Sequence, residues 1–137
     1  MIISAAEFLS LIESDDPTLK SRAISDEAEM HVWESMIEQH ADYELIILQN
    51  NTIPIIILAK LAHSANWRTR HAVARKRKLG LDSIQLLSRD EEPRVRQAIA
   101  ANQKTPIEIL ERLSKDAVPN VKQVAHYNLD MRKKQHR

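Results

Sequence analysis

Cysteine is absent from the 137 residues, which removes disulfides, iron–sulfur ligation, thiolate zinc sites and a cysteine nucleophile. Glycine occurs once and proline five times, so there is little material for hairpins or glycine-rich phosphate loops. Aromatic residues make up only 4%, leaving few stacking platforms. The longest apolar run, Ile53 to Ala59, is far shorter than the about 20 residues a membrane-spanning helix needs. The first residues, MIISAAEFLSLIES, carry no basic leader and place Glu7 early, so they do not read as a signal peptide and a cytoplasmic protein is expected. The six histidines (His31, His40, His63, His71, His126, His136) lack metal-ligand spacing, and no serine sits in a nucleophile elbow. The paired acids Asp15-Asp16 and Glu91-Glu92 fall in turns. No active site, cofactor or metal is therefore expected.

What is present is a repeat. Leu61, Leu87 and Leu113 fall at one constant step, and so do Leu58, Ile84 and Leu110, and Val73, Ile99 and Ala125. Ala72, Ala98 and Val124 keep the same step, as do Lys76, Asn102 and Asn128. Self-similarity at a period of this size marks stacked helix pairs, because one pair cannot bury its own apolar face. The hydrophobic share of 43%, drawn mostly from Leu, Ile, Val and Ala, suits packed helices.

In chain order, Ser4 to Glu7 fits a capping box opening a helix with Phe8, Leu9, Leu11 and Ile12 on one face. Asp15-Asp16-Pro17 breaks it and starts a short helix through about Arg22. The next helix is expected from Ser25, with Asp26, Glu27 and Glu29 at its positive end and Met30, Trp33, Met36, Ile37 and His40 as its buried stripe. Ala41 to Asn50 reads as the second half of a divergent repeat. In the clear repeats Pro54, Gly80 and Pro106 open the first helices, the turns are HSAN, RDEE and KDAV, and Trp67, Pro93 and Pro119 open the second. Asn102 and Asn128 suit left-handed helix stops. The expected organisation is one helical-repeat domain over 1–137: a cap (1–24), a divergent repeat (25–51), clear repeats (52–78, 79–104, 105–129) and a frayed basic tail (130–137).

The shared pattern, best seen in TPIEILERLSKD and PRVRQAIAAN, resembles the leucine-rich repeat variant, a relative of the HEAT-type helical repeats. The resemblance covers about residues 42–129 and implies an all-α, short right-handed α-solenoid of about four 26-residue helix pairs behind a capping helix, with some second helices 3₁₀. Some members of that family carry an iron–sulfur cluster, for which this chain lacks the cysteines. The family otherwise implies a binding scaffold. Similar small helical-repeat proteins include immunity partners of bacterial toxins.

Formal charge is +1 overall but divided, with −9 over residues 1–50 and +10 over 51–137. The column Glu44, Arg70, Arg96, Lys122 recurs at the repeat step and reads as a structural ladder, Glu44 with Arg70, and with turn acids Asp90 and Asp116 six positions before Arg96 and Lys122. Within RTRHAVARKRK, Ala72, Val73 and Thr69 point inward, and Arg68, Arg70, Arg75, Lys76, Arg77 and Lys78 form a basic cluster that Arg94 and Arg96 extend. With Trp67 as an apolar centre, this cluster is the candidate binding surface for an acidic protein partner. The alternative is the backbone of a nucleic acid, although Trp67 and Tyr127 read as packing residues rather than stacking platforms. The charge division also raises self-association, the acidic end of one chain meeting the basic end of another.

Overall fold

The computed structural model describes residues 1–135; His136 and Arg137, the end of the expected tail, lie outside the described residues. The described residues are all-α: ten α-helices, one 3₁₀ turn at Ala41–Tyr43 and a lone bridge between Ile2 and Ala28. No helix among them is long and apolar enough to cross a membrane. The chain divides into two compact units, Met1–Leu61 and a second beginning at Ala62.

The first unit holds α1 (Ala5–Glu13), α2 (Pro17–Ser25), α3 (Met30–Gln39), α4 (Glu44–Ile47) and α5 (Ile55–Leu61). Ser4 caps α1 by accepting from the Glu7 N–H at 3.0 Å, but the Glu7 carboxylate accepts from the Ile3 amide rather than closing the box on Ser4. Helix α2 runs on to Ser25, so the helix expected from Ser25 begins only at Met30. The intervening residues are held extended, with the Ile2 N–H donating to the Glu27 carbonyl at 2.7 Å. That later start changes the buried face of α3 to Val32, Trp33 and Met36, with Met30 exposed and Ile37 and His40 half-buried. Phe8 meets Trp33 edge-to-face at 5.4 Å, and both rings are fully buried. Their apolar shell leaves the Trp33 indole N–H without a partner among the described residues, a polar cost set against a large buried area.

The second unit holds α6 (Trp67–Ala74), α7 (Leu81–Leu87), α8 (Pro93–Ala101), α9 (Ile107–Leu113) and α10 (Pro119–Gln135). The second helices α6, α8 and α10 begin at Trp67, Pro93 and Pro119, one repeat step apart, and are α rather than 3₁₀. Gly80 and Pro106 stand one position before α7 and α9, as N-caps. Helix α8 packs on α6, and α10 packs on α8 and α9. Val73, Ile99 and Ala125 are buried in register, as are Thr69, Val95 and Val121. Ala72 is only half-buried, and Ala74 takes its expected inward place. The described part of the basic tail, as far as Gln135, continues α10 instead of fraying, because Arg132 donates to the carbonyls of Asn102, Gln103 and Thr105.

The turns share one chemistry. Ser64 accepts from the Asn66 N–H at 3.1 Å, Asp90 from Glu92 at 2.9 Å and Asp116 from Val118 at 2.9 Å. Asn66 and Glu92 then cap the next helix by accepting from Arg68 and Arg94. Ser14 and Asp16 do the same before α2, so the turn between α1 and α2, within the expected cap, has the same local construction.

Asparagines tie one helix pair to the one before it. The Asn102 amide donates to the Ala74 and Lys76 carbonyls at 2.9 and 3.0 Å, and Asn128 donates to Ala100 and Asn102 at 2.8 and 3.3 Å. In the first unit Asn50 donates to Ala23 and Asp26, both at 2.9 Å. Each amide thus meets carbonyls that a helix end leaves unpaired. These asparagines are not left-handed stops. Asn102 has extended backbone, Asn128 lies inside α10, and among the described residues no non-glycine residue has positive φ.

Asn102→Ala removes these two donations together with the bond accepted from Lys104, and should destabilise the protein by about 2 kcal/mol in urea unfolding. A loss below about 0.5 kcal/mol would show that the asparagine ties carry little weight.

Candidate binding groove

The basic cluster separates into two groups on opposite duties. Arg70 and Arg96 turn inward, their side chains only 13% and 17% exposed. The Arg70 guanidinium donates twice to Asp90, at 2.8 and 3.1 Å, and once to the Ser64 carbonyl at 2.8 Å. Arg96 repeats this with Asp116, at 2.9 and 3.2 Å, and the Asp90 carbonyl at 2.7 Å. The fork therefore reaches the acid of the following turn and takes only carbonyls from its own turn, not the carboxylate six positions back. A planar guanidinium satisfies both at once, which an ammonium cannot. Hydrogen bonding to Asp90 raises the Arg70 pKa, with burial opposing. Burial would raise the Asp116 carboxyl, but the bonds from Arg96 and the Val118 amide hold it below its ordinary value. Lys122, the last of the column, is exposed.

The other group faces outward. Trp67, half-buried at the start of α6, lies beneath the Arg94 guanidinium at 3.8 Å and the Arg68 guanidinium at 4.8 Å. His71, one turn along, packs edge-to-face on the same ring at 6.3 Å. Arg94 is further oriented by Glu92 at 2.8 Å, which leaves its side chain 61% exposed. Stacking on an aromatic face and a fixed carboxylate together limit the rotamers of an otherwise floppy cation. Arg68, Arg75, Arg77 and Lys78 are exposed, and Lys76 is half-buried, where burial lowers its pKa.

Between these helices runs a groove of about 390 Å³, lined by His71 from α6 and Arg75 just after it, Arg94, Gln97 and Ala98 from α8, and Val124 from α10. Ala101 and Val124 also border a second hollow of about 490 Å³, which continues to Tyr127, Met131 and Arg132. None of the residues lining either hollow is acidic. The column Ala72, Ala98, Val124, whose first member was expected to point inward, thus supplies part of the floor through its last two members. Tyr127 is 69% exposed rather than packed. No hydrogen bond or ion pair engages the Arg75 side chain among the described residues.

No family model, curated protein or solved structure matches the chain in sequence or fold comparison. The functional reading rests on the groove's own chemistry. Among the described residues no three His, Cys, Asp or Glu side chains converge as a metal site. Cations, amides, small apolar side chains and a phenol ring suit recognition of an anion beside apolar surface. Of the expected surface, the structure brings Trp67, Arg68, Arg75 and Arg94 together, and it assigns Arg70 and Arg96 to internal ties. His71, Gln97 and Met131 were missed. The signal for His71 and Gln97 was position, one helical turn from Arg75 and Arg94; Met131 stands on α10, one turn from Tyr127.

Two outcomes follow from this geometry. Asp116→Asn keeps the shape but loses the charge-assisted fork, and should cost about 1–2 kcal/mol at neutral pH in denaturant unfolding. Because the folded carboxyl is held low, the wild type's advantage should persist above the unfolded pKa of about 4 and fade as the pH falls below it; a constant difference would contradict the ion pair. His71 is held below its ordinary value by burial first, then by Arg75 and Arg94, with Glu92 opposing. Its NMR titration midpoint should lie under 6.5 and rise in Arg94→Gln, and an unmoved midpoint would remove Arg94 from its surroundings.

Proposed function

We propose that this chain is a non-enzymatic binding module that captures an acidic surface of a protein partner in the groove of α6, α8 and α10. The observation that carries this reading is the groove itself, with Arg75 and Arg94 at one end and no carboxylate in its lining. From Ala62 onward the sequence holds seventeen bases against eight acids, a formal +9 that would attract an acidic partner at long range. The overall form proposed is the short right-handed α-solenoid of about four helix pairs behind an N-terminal cap, whose own turn, Ser14 to Asp16, bonds as Ser64 and Asn66 do. A cytoplasmic setting and a toxin-neutralising role belong to the same proposal, the latter supported by the family resemblance alone.

A second reading, binding to a nucleic-acid backbone, is favoured by exposed Tyr127 beside a basic groove. It is the weaker of the two because Trp67, the other aromatic nearby, is half-buried and already carries two guanidiniums.

Affinity capture from the source lysate, with and without nuclease, separates the readings. The proposal expects one stoichiometric protein that survives nuclease and is lost when Arg75, Lys76, Arg77 and Lys78 are all changed to Gln. Recovery of nuclease-sensitive material alone would replace it with the second reading. Retention of the same protein by the variant would move the site elsewhere.

A further inference from the structure

We propose that the groove reads an extended acidic–apolar protein segment, seating one carboxylate side chain among His71, Arg75 and Arg94 and one large apolar side chain against Tyr127 and Met131. This deepens the binding reading above and rests on it.

The two ends of the groove differ in chemistry. At the α6–α8 end, Arg75 is exposed and uncommitted among the described residues, while Arg94 is held in place by Trp67 and Glu92. One uncommitted and one fixed guanidinium beside an imidazole make a carboxylate receptor. At the α10 end, Tyr127 is 69% and Met131 39% exposed, both on the wall of the second hollow. Arg132 borders that hollow, but its guanidinium is spent on the carbonyls of Asn102, Gln103 and Thr105. The cation there is structural, and the outward character is apolar.

The floor joining the two ends is Ala98, Ala101 and Val124. Small side chains let a backbone approach closely, and Gln97 offers an amide to it. Packed helices lie about 8–10 Å apart, and an extended chain advances about 3.3 Å per residue. The apolar residue should therefore stand about three positions from the acid. Charge complementarity selects the acid: no lining residue is acidic, and the neighbouring Glu92 carboxylate is paired with Arg94.

The test is selection of a random dodecapeptide phage library on the wild-type protein. Recovered peptides are then synthesised with fluorescein and titrated by anisotropy. The expected peptides pair Asp or Glu with Leu, Ile, Met or Phe at that spacing. Changing the peptide acid to its amide should weaken binding about tenfold in the wild type and hardly at all in Arg75→Gln/Arg94→Gln. Changing the apolar residue to Ser should weaken binding to the wild type but not to Tyr127→Ser/Met131→Gln. Both pairs replace solvent-facing residues, and retained helicity and melting temperature confirm their folding. Acidic peptides that ignore Tyr127 and Met131 would overturn this inference while leaving the acidic-partner reading intact. No peptide enrichment, together with saturable binding of fluorescein-labelled oligothymidylate, would overturn both.

Discussion

Polar ties that recur with each helix pair set the geometry on which everything else in the second unit depends. The first helices α7 and α9 span only two turns, too short to persist on propensity, and their partners α6 and α8 are hardly longer. Apolar burial at Ile84, Leu87, Leu110 and Leu113 supplies cohesion, but burial is non-directional and tolerates slippage. The Asn102 and Asn128 amides and the Arg70 and Arg96 forks are directional, each demanding a particular carbonyl or carboxylate one helix pair away. They fix which turn of α8 faces which turn of α6 and α10.

That register also divides the labour of the charged residues. Arginines at one helical position are consumed in holding the turns together, and those two positions earlier, Arg68 and Arg94, are left to project over Trp67. The same step in sequence that repeats a structural cation repeats a surface one. The Asp90 carboxylate is used twice, closing its own turn through the Glu92 amide and receiving the Arg70 fork. Because the acids of the turns are engaged in this way, the face of the second helices is left with bases, amides and alanine.

Much of the fold was legible because the repeat is written in buried apolar residues. Leu58, Leu61 and their equivalents give helix positions, and the turns fall where the polar residues between them require. What was not legible turns on long-range partners. Asn102 and Asn128 have the composition of helix stops, and only the neighbouring pair reveals that their amides serve its carbonyls. Periodicity alone could not reveal that Asp26 to Ala28 would be drawn into extended pairing with Ile2, delaying α3 to Met30. In the candidate site the cations were readable as a cluster, but their separation into inward forks and outward stack was not. Residues two apart, such as Arg68 and Arg70, differ by about 200° around a helix, so linear density conceals two faces.

The most direct measurement is an NMR shift map of the labelled protein with a bound partner, comparing the two faces of the second unit. Shifts concentrated at His71, Gln97, Ala98, Ala101 and Tyr127 are the predicted result, since the polar ties gather these residues into one acid-free groove. Shifts concentrated instead on the exposed first-helix residues Leu81, Leu86 and Glu108, with the groove silent, would contradict it.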